Sequence, residues 1–181
     1  RSELVQLHKQ LQTTFVYVTH DQVEAMAMGD CIILMDQGKV MQQADPETIY
    51  GDPDNIFAAQ FIGTPPTNIL TMGSEGFKLG FRPEAVSLSG SPLPNKIFTR
   101  RAVITTREML GAETLYKLHL EDGQEVMARL GDSSLAVGDV LQLQVEEESI
   151  YFFDAKGDRV RKDVAQDYLA LLERVQRSNE S

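Results

Sequence analysis

The chain carries the sequence FVYVTHDQVEA at residues 15–25. A short run rich in β-branched and aromatic residues ends here in a polar turn, and a segment with helix-forming residues follows. The pattern predicts a buried strand over 13–19 that presents His20 at its carboxyl end, with Asp21 as the N-cap of the next helix. Ligands of open α/β sheets bind at the carboxyl ends of strands. His20 is therefore the candidate functional residue.

Residues 1–62 alternate between helical and strand patterns. Leucines recur at helical spacing near the start, while Gly29 and the turn at 36–38 separate later periodic segments. The pattern predicts helices over Ser2–Leu11, Asp21–Met28, Pro46–Tyr50 and Asn55–Ile62, and strands over 13–19, Cys31–Met35 and Lys39–Ala44.

The pattern changes after the sequence GTPPTN at 63–68, which we take as the domain boundary. Beyond it, apolar and polar side chains alternate, as along 141–145, which is typical of half-buried antiparallel strands. Glycine-containing turns separate these strands, and together the patterns predict a small closed barrel. The strand candidates are Phe77–Phe81, Ala85–Leu88, Ile97–Glu108, Glu113–Leu120, Glu125–Leu130, Val140–Glu146 and Ile150–Phe153.

Residues 156–181 form a third segment, with a helical period. Their apolar side chains make one stripe along a predicted amphipathic helix. Two roles stay open for this helix: docking on the chain's own barrel, or dimerisation of two chains. The stripe consists of Val160, Val164, Tyr168, Leu171, Leu172 and Val175.

The composition excludes several classes of protein. Lysine and arginine number 17 against 27 aspartates and glutamates, so the formal net charge is −10. Binding to nucleic acid is not expected, because a phosphate backbone requires a basic surface. No apolar run reaches the roughly 18 residues of a membrane span. The single Cys31 excludes a disulfide within one chain and is expected to be a small buried side chain.

Several short motifs resemble those of known ATP-binding subunits, and they occur in the same order. Motifs of the first half resemble the end of an ABC-transporter nucleotide-binding domain, most closely that of bacterial sugar and glycerol-3-phosphate importers. Motifs of the second half resemble the TOBE domain, an OB-like regulatory module of such subunits. The motifs are YVTHDQVEAM at 17–26, DPETIY at 45–50, FAAQFIG at 57–63, FIGTPPTNIL at 61–70, GFRPE at 80–84, LGAET at 110–114 and VGD at 137–139.

The resemblance implies a fold in three parts. Residues 1–62 would be the α/β remnant of a P-loop nucleotide-binding domain, and residues 63–155 an all-β OB-like barrel, the TOBE domain. Residues 156–181 would form the C-terminal helix. His20 would be the switch histidine, which contacts the γ-phosphate of ATP. An imidazole suits this role because one ring nitrogen donates to phosphate while the other accepts a proton.

Other motifs of the resembled site are missing from this sequence. It contains no G-x-x-x-x-G-K-[ST] loop, no Ser-Gly-Gly-Gln run and no apolar strand that ends in Asp-Glu. The resemblance implies ATP and magnesium as cofactors of the intact subunit, with His20 as the one contact residue found here. We therefore expect the chain to be a C-terminal fragment that is inactive alone and holds neither a cofactor nor a metal.

The resemblance also implies a function and partners. The intact protein would be the energy-coupling subunit of a bacterial importer for sugars or glycerol-3-phosphate, peripheral on the cytoplasmic face of the inner membrane. Its partners would be a second copy, membrane-spanning permease subunits and a solute-binding protein. The alternative is that the OB-like barrel binds a small oxyanion such as molybdate or sulfate. We also expect residues 1–62 to self-associate, because their strands lack neighbours.

Overall fold

The computed structural model describes residues 1–94, 97–132, 134–163 and 165–180. The chain divides into two compact units, Arg1–Gly63 and Thr64–Ser181. Within the described ranges, every helix is too short or too polar to cross a membrane.

Unit 1 is a set of short helices around one β-hairpin. Its small core contains Ile32, Leu34, Ile49, Ala58 and Ile62. The hairpin turns where Gln37 and Gly38 adopt positive φ values of 49° and 78°, a conformation that glycine adopts without steric cost. The elements are α1 Ser2–Leu11, α2 Gln22–Met28, β1 Ile32–Asp36, β2 Lys39–Ala44, α3 Pro46–Gly51 and α4 Ile56–Phe61.

The predicted strand over 13–19 is wrong. These residues lie between α1 and α2 without strand pairing, and the side chains of Val16 and Val18 are 88% and 90% exposed. A strand requires a neighbour for its backbone N–H and C=O groups, and in the described part of the chain none pairs with this segment. The predicted burial of Cys31 is also wrong, since it is exposed just before β1.

Unit 2 is mostly β, as expected, and all its strands pair antiparallel in two sheets. One sheet has the order β11-β10-β4-β3 and the other β5-β9-β6-β7-β8. Large apolar side chains such as Phe81, Phe98 and Tyr116 fill one core. The strands are β3 Asn68–Met72, β4 Phe77–Phe81, β5 Ser87–Ser89, β6 Phe98–Leu110, β7 Glu113–Leu120, β8 Glu125–Leu130, β9 Val140–Val145, β10 Tyr151–Phe153 and β11 Arg159–Val160.

Three features of unit 2 differ from the sequence prediction. The expected strand over Ala85–Leu88 begins instead as a 3-10 turn at Pro83–Ala85, and the strand follows at Ser87–Ser89. Among the residues that the structure describes, the backbone hydrogen bonds of unit 2 form two sheets and not one closed barrel. Strands β3 and β11 were not predicted, although each pairs with a strand close to it along the chain, β3 with β4 and β11 with β10.

Side-chain amides join the edge of one sheet to the edge of the other. The Asn68 Nδ2 donates to the Met127 carbonyl at 2.9 Å, and the Met127 N–H donates to Asn68 Oδ1 at 2.8 Å. In the same way, the Gln124 Nε2 donates to the Thr71 carbonyl at 3.1 Å, and the Thr71 N–H donates to Gln124 Oε1 at 2.7 Å. The two amides thus provide hydrogen-bond partners for backbone groups of β3 and β8 that have no strand partner at the edges of the sheets.

The C-terminal helix α5, Ala165–Ser178, packs on the core of unit 2. Tyr168 and Val175 are buried there, whereas Val160 belongs to β11 and Val164 lies outside the described residues. The Tyr168 hydroxyl donates to Glu147 at 3.1 Å. Burial, followed by the nearby Glu147 charge, raises the pKa of Tyr168 to about 12. The docking role is therefore the one that the structure supports for this helix.

Loss of the Asn68 amide should destabilise unit 2 strongly. Asn68→Ala removes two hydrogen bonds and leaves two Met127 backbone groups without partners in a part-buried place. We expect a loss of about 2–4 kcal/mol in the free energy of unfolding. Urea unfolding followed by circular dichroism measures it.

Gln124→Ala is the matched control, because its hydrogen bonds to Thr71 lie in an exposed position where water can replace them. It should cost about 0.5–1 kcal/mol. Equal effects of the two substitutions would contradict the account of the two-sheet junction.

Candidate functional site

His20 lies in an exposed turn just before α2. The segment before it has no strand pairing, so the predicted strand does not carry it. Asp21 is the N-cap of α2, as predicted, and its Oδ1 accepts from the N–H groups of Val23 at 2.8 Å and Glu24 at 3.2 Å. The local structure that fixes the position of His20 is therefore the helix cap and not a sheet.

A chain of hydrogen bonds spans His20 from one side to the other. The N–H of Asp21 donates to Thr19 Oγ1 at 3.0 Å, and the Thr19 hydroxyl lies 3.0 Å from Glu24 Oε2, to which it donates. The Tyr17 hydroxyl donates to the same Glu24 oxygen at 3.2 Å. The negative charge of Glu24 is the main reason why the pKa of Tyr17 is raised above its ordinary value.

A second contact anchors the start of α2 to the end of α4. The N–H of Gly63 donates to Gln22 Oε1 at 2.6 Å, across 41 positions of sequence. Gln22 therefore ties the turn that carries His20 to the last residue of unit 1.

The sequence patterns do not mark Tyr17, Thr19, Gln22 or Glu24 as functional residues. One signal was available for Glu24, since Asp21-x-x-Glu24 has the spacing of a capping box, in which the fourth residue accepts from the backbone of the first. The contacts of Tyr17 and Thr19 depend on how the preceding segment folds over the helix. The local sequence pattern does not predict the conformation of that segment.

The other two histidines lie in different surroundings. The ring of His8 stacks at a tilt on Phe15, with centroids 5.3 Å apart. His119 Nε2 lies 2.8 Å from Glu125 Oε1 on unit 2. Among the described residues, no three His, Cys, Asp or Glu side chains cluster in a way that could hold a metal ion.

Unit 2 has a shallow hollow of about 240 Å³ between the turn that follows β3 and helix α5. Arg174 is the cationic side chain among its lining residues, and it forms an ion pair with Glu75. Its guanidinium also lies 5.8 Å from the centre of the Phe77 ring. Among the residues described there, the hollow therefore has no unpaired cationic side chain that could bind an oxyanion.

Comparison with known proteins identifies the relatives of the chain. The family model of the TOBE domain matches residues 79–153, from β4 to β10. The sn-glycerol-3-phosphate import ATP-binding protein UgpC 3 of Agrobacterium fabrum is 32% identical over 180 residues, which cover 88% of this chain and 51% of that protein. The chain is related to the C-terminal part of ABC importer ATP-binding subunits. Unit 2 contains their TOBE domain.

Two other relatives align over a similar share of this chain. UgpC of Rhizobium meliloti is 31% identical and covers 88% of this chain and 50% of that protein. An uncharacterized ABC transporter ATP-binding protein, YurJ of Bacillus subtilis, is 33% identical and covers 86% of this chain and 52% of that protein. The chain thus spans about half the length of the curated relatives it matches.

A solved structure of the cytoplasmic molybdate-binding protein ModG, with molybdate bound, is a distant match. It is 12% identical, covers 42% of this chain and 60% of that chain, and has a TM-score of 0.39. A similarity at this level carries no argument about the ligand of unit 2.

The exposed segment before His20 should make the isolated chain self-associate. Four consecutive apolar residues at 15–18 are exposed, and an exposed apolar segment with no strand partner can pair with another chain. We expect light scattering to give a mass above that of one chain, which rises with concentration. Val16→Lys combined with Val18→Lys should lower it.

Val137→Lys is the matched control, because Val137 is equally apolar and 61% exposed but lies in unit 2. It should leave the association unchanged. A single-chain mass at every concentration would rule out association through this segment.

Proposed function

We propose that this chain is the C-terminal part of the ATP-binding subunit of a bacterial ABC importer for glycerol-3-phosphate or sugars. The observation that carries the proposal is that several ATP-binding subunits named for sn-glycerol-3-phosphate import align over 85–88% of this chain. Unit 1 is then the end of the nucleotide-binding domain, an α/β remnant of a P-loop fold. Unit 2 is the regulatory TOBE domain.

In this proposal His20 is the switch histidine. Its exposed position beside a capped helix supports a contact with a bound ligand, because the imidazole is accessible and its backbone is held on both sides. In phosphoryl transfer, the protein contributes mainly by positioning and by stabilising charge. A ring N–H of His20 would donate to a γ-phosphate oxygen and help to orient the attacking water.

The residues present fit one part of an ATP site. His20 supplies a single donor, whereas the sequence contains no phosphate-binding loop of the G-x-x-x-x-G-K-[ST] type. The described residues also offer no cluster of metal ligands. ATP and magnesium therefore belong, in this proposal, to the intact subunit. That subunit would form a homodimer on the cytoplasmic face of the inner membrane and work with permease subunits and a solute-binding protein.

The chain alone should neither bind nor hydrolyse ATP. One histidine donor cannot replace the backbone N–H groups and the lysine that hold the phosphates in a P-loop. Titration calorimetry with ATP and magnesium should give no saturable heat, and phosphate release should match the buffer. Hydrolysis by the purified chain that disappears in His20→Ala would overturn this prediction.

In the intact subunit, His20→Ala should slow ATP turnover while leaving ATP binding nearly unchanged. The lost donor acts on charge in the transition state, so we expect kcat to fall about 100-fold or more. Steady-state phosphate release and equilibrium ATP binding measure the two effects.

His119→Ala is the control, because His119 is also partly exposed but lies in unit 2, where it contacts Glu125. It should leave kcat unchanged. An unchanged kcat for His20→Ala would contradict the switch role.

A further inference from the structure

We propose that Glu24 is the positioning residue of His20, and that it acts through the hydroxyl groups of Thr19 and Tyr17. The inference rests on the proposed function, since it concerns the residue that would contact the γ-phosphate. Glu24 does not touch the ligand in this proposal. Its carboxylate holds the turn from which the His20 imidazole projects.

The geometry links the residues on either side of His20. The Asp21 N–H donates to Thr19 Oγ1 at 3.0 Å, and the same hydroxyl donates to Glu24 Oε2 at 3.0 Å. Thr19 Oγ1 therefore accepts one hydrogen bond and donates another, as a hydroxyl oxygen can. The backbone of His20 lies between the two residues that this relay connects.

The arrangement differs from an ordinary capping box in one respect. In a capping box, the carboxylate at the fourth position accepts directly from the N–H of the N-cap residue. Here the Thr19 hydroxyl stands between the Asp21 N–H and the Glu24 carboxylate. The carboxylate thus fastens the segment before His20, which a simple cap would leave loose.

Glu24 is not needed to cap the helix. Asp21 Oδ1 already accepts from the N–H groups of Val23 and Glu24 itself. The carboxylate of Glu24 points instead to hydroxyl groups five and seven positions earlier in sequence. Tyr17 and Thr19 both donate to Oε2, and hydrogen bonds to a charged acceptor are stronger than neutral ones.

The hold on the backbone matters because the imidazole has no fixed partner of its own. Within the described residues, the structure shows no hydrogen bond or ion pair made by the His20 side chain, which is exposed. The position of the imidazole relative to a ligand therefore depends on the conformation of the turn. A displacement of about 1 Å at a catalytic group can lower a rate about 100-fold.

The test compares kcat and KM for ATP in the intact subunit for several variants. Glu24→Ala removes the acceptor, and Thr19→Val removes the relay while keeping the shape of the side chain. Both should lower kcat about 10- to 100-fold and change KM for ATP by less than about threefold. Thr19→Ser keeps the hydroxyl and should restore kcat to near the wild-type value.

Glu47→Ala is the matched control. Glu47 is also an acidic residue in the first turn of a short helix of unit 1, and it is exposed. Glu47→Ala removes the same charge without changing the turn that carries His20, so kcat should stay unchanged. If Glu24→Ala does not fold, Tyr17→Phe combined with Thr19→Val removes both donors and leaves the carboxylate in place.

A variant that combines His20→Ala with Glu24→Ala separates an effect on the position of His20 from an effect on general stability. If Glu24 acts through His20, Glu24→Ala should have no further effect on kcat once His20 is alanine. A further loss in the double variant, or a wild-type kcat for Glu24→Ala and Thr19→Val, would overturn the inference. In contrast, a wild-type kcat for His20→Ala itself would overturn the proposed function.

Discussion

The structure depends on one requirement: every backbone N–H and C=O group that is buried from water needs a partner. In unit 2 the requirement is met by antiparallel ladders and, where the two sheets meet, by the side-chain amides of Asn68 and Gln124. In unit 1 the hairpin of β1 and β2 meets it through strand pairing, whereas residues 13–19 pair with no strand and lie exposed to water. The same sequence pattern that favours a strand therefore gives an exposed, unpaired segment.

This constraint explains the state of the candidate site. His20 was expected at the end of a strand, and the structure places it at the start of a helix, with an unpaired segment before it. The turn itself keeps its shape because its contacts are local: the Asp21 cap, the Thr19 relay and the Glu24 carboxylate. In our proposal, the phosphate-binding loop that this sequence lacks belongs to another part of the intact subunit.

The sequence allowed prediction of the features that depend on neighbours along the chain. The Asp21 cap, the hairpin turn at 37–38 and the alternating strands β7 and β9 all appear where the pattern placed them. The features it did not reveal depend on distant partners. Asn68 meets Met127 across 59 positions, and residues 13–19 would need a neighbouring strand that the pattern could not supply.

The functional residues divide in the same way. His20 was recognisable because of its place between an apolar run and a helix cap, whereas Glu24 became visible only through its contacts with Tyr17 and Thr19. In the intact subunit, the turn held by Asp21, Thr19 and Glu24 should bring the imidazole of His20 to the γ-phosphate. A crystal structure of that subunit with a non-hydrolysable ATP analogue tests this arrangement. We expect an imidazole nitrogen of His20 about 2.7–3.2 Å from a γ-phosphate oxygen, with the Thr19 hydroxyl still between the Asp21 N–H and the Glu24 carboxylate. An imidazole turned away from the nucleotide would argue against the switch role.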